Sequence, residues 1–231
     1  MFSEIFLAMT AVEAKKALPD RVCFMSCRFS PYSAGLTNLP SELPPNSMLL
    51  LDDSMPPAGH DPKTVIEQLC GLVKQFSVCG VLLDFQREKT EVSNSMVHAI
   101  LQALPCPVAV TEDYARDLGC LVFLSACPAN VALEKYLQPW KQGVYLEIAP
   151  SRMQIAVTED GASTVYLSAG ETESLVFYDE RLCCHYKTEV FENRAVFTFQ
   201  RNREDLEKLI QKAQDLGVVA TVGLYQELRD L

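Results

Sequence analysis

One alternation runs along most of this chain and limits what it can fold into. A short apolar run ends in an acid or amide, and a polar segment with apolar residues at helical spacing follows. "SMLLLDD" (47–53) precedes "DPKTVIEQLCGLVKQF" (61–76), whose Val65, Ile66, Leu69, Leu72, Val73 and Phe76 fall on one helical stripe. "VCGVLLDF" (78–85) precedes "SNSMVHAILQAL" (93–104), with Val97, Ile100, Leu101 and Leu104 on one face. "PVAVTED" leads into the short polar "YARDLG", and "CLVFLSA" into "NVALEKYLQPW". "GVYLEIAP" (143–150) is the next strand.

The last unit carries end signals as well. Asn202 caps a helix with Asp205 at its third position, Leu206, Leu209, Ile210, Ala213 and Leu216 form its stripe, and Gly217 stops it before "VVATVGLY". Near the N-terminus, "EIFLAM" and "RVCFMSC" read as strands flanking the helical "AVEAKKAL". Eight strands with helical or short connections predict an α/β fold of the (β/α)8 type, a TIM-type barrel. An open doubly wound sheet is the alternative, weakened because no Gly-rich phosphate loop follows any strand.

Between the seventh strand and the last helix the pattern changes. "SRMQIAVTEDGASTVYLS" turns at Glu159-Asp160-Gly161, and "HYKTEVFENRAVFTFQ" turns at Glu192-Asn193, so each reads as a hairpin. The expected organisation is a barrel from 1–149 and 202–231 with a small β-rich insertion at 150–201. That leaves about 180 residues for the barrel, below the usual ~200–250, so the barrel must be trimmed.

Composition removes several function classes. A net charge of −10 argues against a nucleic-acid or anionic-membrane surface, since both require clustered Lys and Arg. The nine cysteines, scattered through apolar runs, read as reduced core thiols. Cys183-Cys184-His185 has no second Cys or His pair at zinc spacing, so neither a metal nor a cofactor is expected. "MFSEIFLAMTAVEAKK" opens without a basic region, and its apolar run is too short to span a bilayer, so the expected location is cytoplasmic. Nothing in the pattern fixes an oligomeric state.

In such a barrel the site lies at the C-terminal strand ends. Those ends carry Asp52 and Asp53, Asp84 and Gln86, Glu112 and Asp113, Ser125 and Cys127, Glu147, and then Tyr225, Gln226 and Glu227. His60, on the loop after the third strand, reads as a solvated loop residue or an acid or base, and His98 as a packing or surface residue of a helix. Phe177, Tyr178, Tyr186, Phe191, Phe197 and Phe199 offer a stacking platform, although on alternating strands half of them must be core.

"CGVLLDFQ" (79–86) resembles the signature of glycoside hydrolase family 18, the chitinase-type D-G-x-D-x-D-[WYF]-E, whose last Glu is the general acid. Gly80, Val81, Asp84 and Phe85 match it. The run from His185 to Leu228 is similar to the family's C-terminal order, an aromatic-rich hairpin, a helix and a G-[VI]-x-x-[WFY] eighth strand. The likeness covers about 78–228, and more weakly the first 77 residues. It implies catalytic positions at Asp84 and Gln86, with Asp53, Phe85, Glu112, Asp113, Glu147 and Tyr225 as ligand contacts. It also implies an N-acetylglucosamine-containing glycan or cell-wall fragment as partner, and, through bacterial relatives acting on spore glycans, a forespore location.

The departures bear on activity. Cys79 and Leu82 replace two carboxylates, Gln86 replaces the acid, and Tyr225 stands where the family usually has a Trp. An amide has no proton acidic enough to donate to a glycosidic oxygen, and a positioned general acid contributes about 10²–10⁴-fold. Three functions follow: an impaired chitinase-like protein that still binds glycan, a glycosidase using a pair drawn from Asp53, Glu112 or Glu147 with Asp84, or a non-catalytic assembly protein.

Overall fold

The computed structural model of the chain describes residues 5–16, 18–167 and 177–229. Eight parallel strands form a closed barrel: β1 (Ile5–Met9), β2 (Val22–Phe29), β4 (Met48–Asp52), β5 (Gly80–Asp84), β6 (Val108–Thr111), β7 (Leu121–Leu124), β8 (Val144–Glu147) and β14 (Ala220–Leu224). Closure comes from β1, which pairs with β14 (Ile5 opposite Thr221) and with β2 (Leu7 opposite Val22). A two-residue strand, β3 (Leu36–Thr37), adds antiparallel to β2.

The helices differ widely in length, for local reasons. α2 (Pro62–Phe76) is fully built, with Asp61 capping its N-terminus, a proline at its first position, and Val65, Leu69, Leu72 and Val73 buried. α3 (Glu91–Ala103) starts at a Thr90/Ser93 capping box. α6 (Arg203–Asp215) starts at the Asn202/Asp205 box and is followed by Gly217 at φ 79°. By contrast α1 (Ala11–Ala14), α4 (Glu112–Leu118), α5 (Leu133–Leu137) and α7 (Tyr225–Leu228) have one or two turns each. "YARDLG" is therefore the body of α4, which starts at Glu112 directly after β6. No described helix is long and apolar enough to cross a membrane.

Apolar residues divide into two layers by strand parity. Met48, Leu50, Leu82, Ala109, Phe123, Tyr145 and Val222 fill the barrel interior. Leu49, Leu51, Val81, Leu83, Val110, Val122 and Leu146 point outward beneath the helices. Both faces of these strands are thus apolar, as a parallel sheet covered by helices requires.

β8 leads into a separate five-stranded antiparallel sheet: β9 (Ser151–Thr158), β10 (Gly161–Tyr166), β11 (Phe177–Asp179), β12 (Cys184–Phe191) and β13 (Arg194–Arg201), in the order β10-β9-β13-β12-β11. The two hairpins merge because β9 pairs with β13 over eight residues, from Arg194 opposite Thr158 to Arg201 opposite Ser151. Arg201 ties this sheet to the barrel. Its buried guanidinium donates to the Cys127, Pro128 (3.2 Å) and Leu182 (2.9 Å) carbonyls, two of them on the loop after β7.

Candidate functional site

At the C-terminal end of the barrel the inward positions turn polar. Leu50 gives way to Asp52, Leu82 to Asp84, Phe123 to Ser125 and Tyr145 to Glu147. These four, with Gln86, surround a cavity of about 170 Å³ whose floor includes Leu50, Phe123 and Val222. Asp52 and Asp84 face each other in register on adjacent strands, about 4.8 Å apart at the backbone. Three carboxylates therefore stand over an apolar floor.

Gln86 is held in place from two sides. Its side-chain amide Nε2 donates to Asp84 Oδ1 at 2.6 Å. Its backbone N–H donates to Asp53 Oδ1 at 2.9 Å, while Arg87 N–H donates to Asp53 Oδ2 at 3.0 Å. The strand end is pinned further by Thr111 Oγ1, which donates to the Phe85 carbonyl at 2.9 Å. Burial pushes the Asp84 carboxyl above the ordinary range; the Gln86 hydrogen bond pulls it down, and the Asp52 and Asp53 charges push it up.

Glu147 faces the cavity from β8, with Oε2 accepting from Ala126 N–H at 3.2 Å. Burial raises its pKa, the Ala126 hydrogen bond opposes this, and the Asp84 and Glu227 charges add to the rise. Burial also raises the Glu227 carboxyl. The mouth can thus hold protons nearer neutrality than free carboxylates do.

The structure brings Asp84, Gln86 and Glu147 together. Glu112 and Asp113 lie beside them, lining an adjoining polar depression that shares Gln86 and Ser125 with the cavity. Both belong to the first turn of α4, and Glu112 pairs with Arg116 at 3.2 Å. Phe85, expected to touch ligand, is 3% exposed, with its ring edge-on to Phe29 and Tyr114 in the outer layer. It is a packing residue, because it follows an inward Asp84 and must point outward. Asp53, also expected at the ligand, is buried and spends both carboxylate oxygens on the Gln86 and Arg87 amides.

Tyr225 lies off the cavity, at the first position of α7 against the outer layer. His60 donates to or accepts from nothing in the cavity; its Nε2 meets the Ser30 carbonyl at 2.8 Å and its ring packs on Phe29. His98 is exposed on α3 beside Gln102. Asp52 and Ser125, read from the sequence at the strand ends without being named as ligand contacts, line the cavity. Inward parity counted back from Asp84 along the neighbouring strands would have selected both. Among the described residues no group of His, Cys, Asp and Glu is placed to hold a metal ion.

A barrel closed by eight parallel strands, with a β-rich excursion after the seventh and its polar cavity at the strand ends, is the chitinase-like fold of glycoside hydrolase family 18. The spore cortex-lytic enzyme SleL of Bacillus cereus superimposes with a TM-score of 0.55 at 10% identity, over 95% of this chain and 70% of that one. A GH18 chitinase from Cycas revoluta, a Gly-to-Trp and Glu-to-Gln double mutant in complex with (GlcNAc)4, matches with a TM-score of 0.53 at 10% identity, over 96% of this chain and 94% of its own. The class V chitinase of Nicotiana tobaccum gives 0.52 at 9% identity, over 95% and 93%. No protein-family model and no curated protein matches the sequence.

Proposed function

We propose that this chain is a chitinase-like glycoside hydrolase homologue that binds an N-acetylglucosamine-containing glycan at the barrel mouth and is impaired in hydrolysis by the family's route. The observation that carries this is the 2.6 Å hydrogen bond from Gln86 Nε2 to Asp84 Oδ1, inside the cavity and at the position the signature gives to the acid. An amide locked on a carboxylate can accept and donate hydrogen bonds to sugar hydroxyls or an acetamido group, but it has no proton to give a leaving group. The Cycas revoluta chitinase of the same fold holds (GlcNAc)4 with a Glu replaced by Gln, which supports glycan retention at a mouth that carries an amide.

Isothermal titration with (GlcNAc)4 and with peptidoglycan fragments tests binding, and product chromatography after prolonged incubation tests hydrolysis. Binding that is lost in Asp84→Ala, together with negligible turnover, is the expected result. Absence of binding by the parent to every one of these glycans refutes the reading.

A second reading is favoured by one observation. Glu147 shares the cavity with Asp84 and is held protonated more readily than a free carboxyl by burial and by the Asp84 charge. Both carboxyls are raised by burial and the Asp84 charge raises Glu147 further, so the pair can share a proton between them, as a glycosidase acid and base must. Turnover by the parent that falls at least ~10²-fold in Glu147→Gln, with binding retained, selects this reading over the first.

A further inference from the structure

The five-stranded sheet presents one face that takes no part in the mouth cavity. Along one row, Phe177 lies opposite Tyr186, Tyr186 opposite Phe199, Phe199 opposite Met153 and Met153 opposite Tyr166, crossing all five strands on one side. Two residues further out Phe197 faces Ile155, and beyond that Ala195 lies between Val190 and Val157. The rings are nearly parallel from strand to strand, Tyr186 and Phe199 having centroids 6.3 Å apart at 28°.

Among the described residues, cover is confined to the inner end of this face. Met153 and Cys184 are buried against Ala129 on the loop after β7. Further out, Val190 is 79% exposed, Tyr166 70%, Phe177 53% and Val157 41%. Charge is sorted to the other side by the alternation: Lys187 and Glu189 of β12 and Arg194 of β13 all point to the opposite face. The two charged residues on the apolar side, Asp179 and Arg201, sit at the barrel end, where Asp179 accepts from the Arg181 and Leu182 amides and Arg201 is buried.

An antiparallel sheet with one face that is apolar and free of charge beyond its barrel end is built like half of a sandwich. The exposed parts of these side chains come to roughly 700 Å², taking about 150–250 Å² for a whole aromatic side chain, against ~800 Å² per partner in a standard interface. The chain carries a net charge of −10 and repels its own copies over most of its surface. This face is where two copies can meet without facing charges. Its outer row is aliphatic, Val190, Ala195 and Val157, which interdigitates with another sheet and offers no ring to stack on a sugar.

We propose that this face is a self-association surface: a second copy of the chain docks the same face on it about a twofold axis, closing two five-stranded sheets into a sandwich. The contact is isologous, so each substitution enters it twice.

Sedimentation velocity on the full chain between about 1 and 100 μM is the test. A species of twice the 25.7 kDa protomer mass is expected. Val190→Lys with Val157→Lys places like charges in the contact and should weaken association at least about 100-fold. Val165→Lys, at a position with exposure between those of Val157 and Val190 but on the opposite face, should leave it unchanged, and circular-dichroism melts of both variants report whether the fold is kept. A parent that is monomeric throughout the range overturns the proposal. So does a dimer indifferent to the Val190/Val157 change or equally weakened by Val165→Lys. Monomeric parent that pellets with insoluble chitin, and fails to after the double substitution, also overturns it and assigns the face to polysaccharide.

Discussion

Replacing Gln86 by Glu tests the mouth most directly. The amide nitrogen sits 2.6 Å from Asp84 Oδ1, so the substitution places a second carboxyl in hydrogen-bond contact with the first. Two unit charges at ~4 Å repel by about 4 kcal/mol at an effective dielectric of 20, equivalent to roughly 3 pH units at 1.36 kcal/mol each. Asp84 already lies above its ordinary value through burial and through Asp52 and Asp53. The pair must therefore share one proton and titrate as a dyad, with its upper step raised further above the ordinary carboxylate range.

Two consequences follow for Gln86→Glu. The shared proton restores a donor at the signature's acid position, and cleavage of (GlcNAc)n oligomers should rise about 10²–10⁴-fold over the parent below that upper step. Stability moves the other way. A carboxyl whose folded-state pKa is raised above the unfolded value costs stability as pH climbs from the unfolded pKa to the folded one. The variant should match the parent near pH 4 and melt below it near pH 8. Product chromatography and thermal melts between pH 4 and 8 read both effects. A variant that binds glycan normally, gains no hydrolysis at any pH and shows no new pH-dependent loss of stability refutes the assignment of this position. Leu82 is fully buried in the barrel interior, so the single substitution is a cleaner test than one that also restores a carboxylate there.

Other outcomes follow from the same contacts. Glu147→Gln removes a carboxyl that burial disfavours in its charged form, so it should stabilise the protein by about 1 kcal/mol, or about 2–4 °C, above the raised pKa, and by nothing below pH 4 in melts across that range. Arg201→Met leaves the Cys127, Pro128 and Leu182 carbonyls without their buried donor and should cost about 3 kcal/mol in urea unfolding. Gly223 lines the cavity, and a Cβ there would lie 2.5 Å from the Ile148 carbonyl oxygen. Gly223→Ala should cost about 1–3 kcal/mol and weaken glycan binding measured by titration. Asp53→Ala frees the Gln86 and Arg87 amides and should cost about 1–3 kcal/mol, with loss of binding although Asp53 does not line the cavity.

The barrel was legible because its pattern is written at the scale of whole units. Each apolar run and each helical stripe repeats the same step, and the Asn202 and Gly217 signals fall where α6 begins and is followed. Individual site residues were harder to read for a physical reason. Strands buried on both faces show no hydropathy alternation, so nothing in "LLDFQ" says which side Phe85 takes until Asp84 is known to point inward. The same ambiguity exchanged Asp53 for Asp52 at the end of β4. Glu147 was legible because it closes a strand alone. Tyr225 was misplaced because α7 starts immediately after β14, carrying the residue out of the mouth. The single sheet was only half visible: each hairpin is a local signal, but the β9–β13 pairing joins residues more than thirty apart in sequence and leaves no mark in either segment.

The double pairing of β1 has a consequence for the chain as it is being made. β1 meets β2 through Leu7 opposite Val22 soon after it emerges, but Thr221, the partner of Ile5 on its other edge, is synthesised about 216 residues after Ile5. At ~5–20 residues per second this is a wait on the order of 10–40 s. During it the nascent barrel is a seven-stranded parallel ribbon with open hydrogen-bonding edges on β1 and β8. Such edges recruit other strands, and the parallel connections around them form slowly. The interval before β14 emerges is therefore the one in which open strand edges are available for mispairing.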